Sequence, residues 1–222
     1  MARRPTGPGP TIGLAVAGLA CLGAGLALGP LQQPRVQVPD LGSEPAVPVS
    51  PAPPGPSSSP SGTASALPAS LPWTVAASPR LLDLPTQRVR AHVVPIGLQS
   101  GSLDLPDDPH VVGWWAAGAA PGDSSGSAVL AAHLDSASRG IGVLTALTRV
   151  LPGDPMMIAD AAGDVHRYSV DSRRTYAKAD LPDALFARSG PPRLVLITCA
   201  GHFDARTGHY DSNLVVVARP DG

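Results

Sequence analysis

The chain has 222 residues, among them 24 Gly and 27 Pro, and a formal net charge of −1. That balance leaves no electrostatic case for a nucleic-acid partner. Most of the Pro lies in roughly the first 75 residues, which leaves about 140 for one ordinary folded domain.

Residues 1–10 carry Arg3 and Arg4, and an apolar stretch without a single charge runs from Thr11 to Leu28. Its ~18 residues are at the lower edge of what spans a bilayer as a helix. Arginines before it and none directly after it predict a cytoplasmic N-terminus (1–10), a transmembrane signal-anchor over residues 11–29, and an extracytoplasmic remainder. The competing reading is a cleaved signal peptide, for which Ala24-Gly25-Leu26-Ala27 offers only a loose site. Cys21 lacks the large aliphatic residue three positions ahead that lipoprotein processing uses, so it reads as an apolar membrane-facing thiol.

Residues 30–78 read as a disordered Pro/Ser/Ala-rich linker. Pro48–Pro60 is unfit for helix or sheet ladders, because Pro removes donors and fixes φ. Extended at ~3.1 Å per residue, such a linker would reach on the order of 100 Å, a spacer between membrane and domain. The alternative is a tail of no selected length.

From Pro79 onward short β-type runs alternate with turn signals, giving a folded domain over residues 79–222. Val89–Val94 is the first run, followed by the turn 97–101 and then Val111–Trp115. After the turns at 121–126 come Ser127–His133, Met156–Ala159, Val165–Val170, Arg193–Thr198 and Leu214–Ala218. Runs at this spacing predict a mostly-β barrel or sandwich. Helices are few and short, with Gly142–Val150 and Asp180–Arg188 as candidates.

Cys199 ends the run Leu194–Thr198 and is followed by Ala200-Gly201. It is the only cysteine besides Cys21. With one thiol in the apolar segment and one in the domain, no intramolecular disulfide is expected. A free thiol outside the membrane is a liability unless it is used. A thiol is mostly protonated at neutral pH, and a nearby imidazole or cation is the usual remedy. His133, at the end of a strand run and before a polar turn, is the best placed of six histidines. His202, Asp204, His209 and Asp211 lie close in sequence, but their spacing matches no established zinc pattern and no metal site is expected. No phosphate-binding Gly-rich loop and no G-x-S-x-G elbow is present. Only one of the 16 basic residues, Lys178, is a lysine, which reads as codon usage without mechanistic content.

Taken in order, these blocks resemble the sortases, most closely the class E/F sortases of high-GC Gram-positive bacteria. The matching pieces are Val93–Leu98, Leu105–Pro109 with Val112–Trp115, the histidine block Ala128–Ser136, and the cysteine block Leu196–Gly201. Phe203-Asp204, Thr207–Tyr210 and Asn213 complete them. The resemblance implies an eight-stranded sortase-type β-barrel with a few short helices, preceded by the transmembrane helix and Pro-rich linker. It implies a membrane-anchored cysteine transpeptidase in which Cys199 attacks a carbonyl of an LPxTG-like sorting signal. An acyl-thioester forms and an amine of the cell wall resolves it, with His133 as general acid and base. The implied partners are surface proteins with C-terminal sorting signals and a peptidoglycan precursor or other amine. No cofactor is implied.

The chain departs from the family at the third catalytic position, where many members carry an arginine. Asn213 falls there and could donate a hydrogen bond without charge; Arg206, the nearest cation in sequence, either reaches the site as an oxyanion or substrate cation or is a solvated loop arginine. Thr198, before the nucleophile, would support the site or the substrate through its hydroxyl. Ala200 replaces the usual Gly after the cysteine, which matters if φ > 0 is needed there. Two alternatives stand beside this reading: a cysteine peptidase that hydrolyses the same signal, and a catalytically degenerate wall-associated binding domain.

Overall fold

The computed structural model describes residues 35–43 and 77–221. The expected membrane span at 11–29, its flank 1–10 and Cys21 lie outside the described residues. Among the described residues no helix is long and apolar enough to cross a membrane.

Eight strands close into a barrel: β1 Pro79–Leu84, β2 Val89–Ile96, β3 Val112–Trp115, β4 Ser127–Ala131, β5 Pro155–Asp160, β6 Val165–Ala177, β7 Arg193–Asp204 and β8 His209–Pro220. The order around the barrel is β7-β8-β6-β5-β1-β2-β3-β4, and β4 pairs back onto β7 to close it. Closure removes exposed strand edges. It also settles the open choice between barrel and sandwich. The β2–β3 and β4–β7 pairs are parallel and the rest antiparallel.

Side-chain alternation along each strand sorts the apolar residues into two clusters. Leu82, Val93, Trp114, Leu130, Ile158, Leu196, Leu214 and Val216 fill the barrel interior. Trp115, Val129, Ala131, Val195, Ile197, Val215 and Val217 face outward and are covered by Leu185, Phe186, Leu181, Leu103 and Leu105. Strands β3, β4, β7 and β8 are thus apolar on both faces, which is why they stand out in the sequence as continuous runs.

Several boundaries differ from the sequence reading. β1 was not anticipated: Pro79 and Asp83 hide an alternation that turns Leu82 and Leu84 inward, and Pro is tolerated as a first strand residue. β6 runs well past Val170, through a register shift between Val170 and Ser172. Arg173, buried in its second half, donates to the carbonyls of Thr148, Val150 and Pro39. β7 does not end at Cys199 but continues to Asp204. The two helix candidates are 3₁₀ turns, Val143–Arg149 and Asp183–Phe186. Neither has a side-chain N-cap, and Pro182 disfavours helix at Leu181.

Within the expected linker 30–78, residues 35–42 form a strap with two short strands on the barrel. Arg35–Val36 pairs antiparallel with His202 and Gly201 of β7, and Leu41–Gly42 with Ser172 and Arg173 of β6. Asp40 fastens this strap, accepting from the Thr175 backbone N–H at 2.8 Å and facing Arg174 at 3.8 Å.

Candidate active site

The parallel pairing of β4 and β7 sets the site. Their register runs from Ser127 opposite Arg193 to Ala131 opposite Ile197. Two residues further along each strand come His133 and Cys199. By alternation, Val129, Ala131 and His133 share the outer face, as do Val195, Ile197 and Cys199. The join is held past the last ladder pair: the Ala132 N–H donates to the Ile197 carbonyl at 3.2 Å. The Thr198 hydroxyl, 2% exposed, donates to the Ala132 carbonyl at 2.9 Å. Thr198 thus fixes the backbone that leads into His133.

On the other side of β7, Cys199 pairs with Asn213 of β8, and Asn213 pairs with Tyr176 of β6. Cys199 and His133 open into a cleft of about 810 Å³, with Asn213, Lys178, His209 and Tyr210 on its polar side. Its apolar wall is made by Leu103, Leu105, Trp115, Leu181, Phe186 and Ile197. Trp115 and Phe186 meet edge to face at 5.7 Å.

Burial pushes the Cys199 thiol above the usual range; the Lys178 ammonium draws it down, Asp135 pushes it up, and a backbone hydrogen bond from Leu134 lowers it. The Tyr210 hydroxyl donates to Asp135 Oδ2 at 2.6 Å. Burial, that hydrogen bond and the Asp135 charge all push the phenol far up, so it remains a donor across the working range. Asp135 opens a two-residue-strand hairpin with Gly140–Ile141. The bond therefore ties the segment after His133 to the start of β8.

The irregularity in β7 after Cys199 is built on Gly201, not on Ala200. Gly201 has φ +84, and the register of β7 with β8 shifts between Ala200 and Phe203. A Cβ at Gly201 would collide with the Asp211 carboxylate and with Ser212. Ala200 is not among the positive-φ positions, so its methyl group costs nothing there.

Of the residues singled out in the sequence, Cys199, His133, Asn213 and Thr198 come together. Arg206 does not. It is 89% exposed and lies 3.8 Å from Asp204, outside the cleft lining. His202, at the pairing with Arg35, also lies outside the lining, whereas His209 is within it. Among the described residues no group of His, Cys, Asp and Glu is arranged to hold a metal ion, and Cys199 is a free thiol. Two features escaped the sequence reading, the Tyr210–Asp135 tie and Lys178. The second had a signal, since it is a singular residue type in this chain.

A family model described as the sortase domain matches residues 82–221. Among solved structures, the sortase C1 of GBS pilus island 1 is 21% identical, with a TM-score of 0.50 over 64% of this chain and 63% of that one. A Streptococcus agalactiae sortase C1 structure is 22% identical, with a TM-score of 0.51 over 64% and 66%. Sortase A from Corynebacterium diphtheriae is 20% identical over 64% and 60%, with a TM-score of 0.49. At these identities the likeness to the two sortase C1 structures concerns the fold alone, and the chain spans less than two thirds of each of the three. A search of curated proteins returns no match.

Proposed function

The chain belongs to the sortase family, and on that premise we propose that it is a cysteine transpeptidase, membrane-anchored and extracytoplasmic, of the class E/F type. The observation that carries this reading is the placing of Cys199 and His133 two residues past the last β4–β7 ladder pair, on one face and in one cleft.

In this reading Cys199 attacks a backbone carbonyl of an LPxTG-like sorting signal whose apolar residues lie against Trp115, Leu105 and Phe186. His133 takes the thiol proton and passes it to the leaving amine as the C–N bond breaks, and the acyl-thioester remains on Cys199. An incoming amine of the cell wall then gives its proton to His133 and resolves the thioester. Asn213, in register with Cys199, supplies a neutral donor toward the oxyanion. Thr198 acts through the Ala132 carbonyl, as a positioning residue. The apolar residues 11–29 serve as the anchor, with residues 1–10 on the cytoplasmic side. The clients are surface proteins bearing C-terminal sorting signals, and the acceptor is a peptidoglycan precursor or another amine.

The test is turnover of an LPxTG-type peptide with and without an added amine, followed by mass spectrometry. Wild type is expected to give the amine adduct and Cys199→Ala none. Turnover that persists in Cys199→Ala would overturn the reading, and hydrolysis without any adduct would make the protein a peptidase.

A further inference from the structure

The cleft around Cys199 gathers titratable groups from several elements. His133 follows β4, Asp135 opens the hairpin after it, Lys178 follows β6, Asp183 begins a 3₁₀ turn, and His209 and Tyr210 begin β8. Among the described residues that line the cleft, Lys178 is the one lysine or arginine.

Its place follows from the register. Tyr176, Asn213 and Cys199 form a lateral row across β6, β8 and β7. Lys178 comes two residues after Tyr176, just past the end of β6, and lines the same cleft. Its charge is not spent elsewhere: among the described residues it enters no ion pair. The nearby Arg174 and Arg206 are by contrast engaged with Asp40 and Asp204. The field of the ammonium reaches the thiol, where it opposes both burial and Asp135.

Acyl transfer through a half-buried thiol gains from positive charge twice, first at the thiolate and then at the oxyanion. Asn213 offers a dipole but no charge. We propose that Lys178 is the electrostatic catalyst of this site, its ammonium holding the Cys199 thiolate before attack and the carbonyl oxyanion after it. This rests on the transpeptidase reading above. In the step, a sulfur lone pair forms the S–C bond and the carbonyl π pair moves onto oxygen, toward which a Lys178 N–H points without giving up its proton. When the C=O bond re-forms the C–N bond breaks, and the amine leaves with the proton that His133 took from the Cys199 thiol before attack. A compact ammonium on a four-carbon stem has the freedom to serve both positions in turn.

Full-length Lys178→Met and Lys178→Arg, with Cys199→Ala as reference, test the proposal through two readouts. One is kcat/KM for peptide transpeptidation; the other is the pH profile of Cys199 alkylation by iodoacetamide, which needs no turnover. Lys178→Met is expected to lower kcat/KM about 10²-fold and to move the alkylation profile to higher pH. Lys178→Arg is expected to stay within about tenfold of wild type and to keep the wild-type profile. Unchanged kcat/KM and profile in Lys178→Met would overturn the proposal. So would a loss of activity that leaves the profile in place, because a merely structural role would act that way. Either result with an inactive Cys199→Ala leaves the transpeptidase reading standing, whereas an active Cys199→Ala would remove that reading itself.

Discussion

The Tyr210 hydroxyl donates to the Asp135 carboxylate at 2.6 Å and so joins the segment after His133 to β8, the strand that pairs with the one carrying Cys199. Asp135 lies two residues after His133, and Tyr210 starts the strand that pairs with Cys199 through Asn213. The distance between imidazole and thiol thus depends on this bond as well as on the β4–β7 ladder. Tyr210→Phe keeps the ring, with its 5.1 Å contact to Phe203, and removes only the tie. It is expected to lower kcat about 5–10-fold and stability by about 1 kcal/mol, the Asp135 end being exposed. Peptide turnover and urea unfolding measure the two.

Asp135 also raises the Cys199 thiol. Asp135→Asn removes that charge and keeps an acceptor for Tyr210. The thiol should then ionise at lower pH, because a neighbouring negative charge no longer opposes its thiolate. Iodoacetamide alkylation at a fixed pH below the thiol's midpoint is expected to run about 2–5-fold faster than in wild type. A slower reaction would show that the loop has moved.

His133→Gln should abolish transpeptidation to about 10²–10⁴-fold below wild type, since proton transfer to the leaving amine is lost. Alkylation of Cys199 by a small reagent needs no proton donor and is expected to persist. Stopped peptide turnover with a reactive thiol would separate general acid loss from collapse of the cleft.

Alkaline pH should destabilise the fold. Cys199, Tyr168 and Tyr210 are all raised above their ordinary values, mainly by burial. In the unfolded chain these groups lose their protons first, so the unfolded state binds fewer protons and stability falls as pH rises. The loss should begin above about pH 8.5, where a free thiol ionises, and steepen above about pH 10, where free phenols do. Cys199→Ala with Tyr210→Phe is expected to flatten the decline. Urea midpoints from pH 7 to 11 provide the measurement.

The strap is tested by Arg173→Met. The guanidinium joins the Thr148 and Val150 carbonyls of one segment to the Pro39 carbonyl of the strap. Its loss leaves buried acceptors unpaired, at about 1–3 kcal/mol. Proteolysis near residues 35–43 should speed up before the barrel unfolds. Equal protection in both proteins would show that the strap is held by its strand pairing alone.

The strands that could be read from the sequence are those with two apolar faces. Ser127–Ala131, Arg193–Thr198 and Leu214–Ala218 are apolar on both sides because Leu185, Phe186 and Trp115 cover the outer face. β1 and the second half of β6 escaped notice for the converse reason. Their polar residues, Asp83 and Arg173 among them, find partners only in the folded barrel. The strap 35–42 escaped for a similar reason, since a few residues added to a strand edge carry no periodicity. Cys199 and His133 were legible because each stands at the edge of an apolar run.

The sequence by itself determined the strands with two apolar faces and the placing of Cys199 and His133 at the edges of two of them. Only the tertiary structure decided which charge stands beside them. Arg206 is near Cys199 along the chain yet turns to Asp204 and solvent, while Lys178 arrives from a strand two places away. The reason lies in sheet geometry. Neighbouring strands lie about 4.8 Å apart, a spacing that sequence separation does not report, and alternation then selects the face. Register and parity, not proximity in sequence, chose the cation.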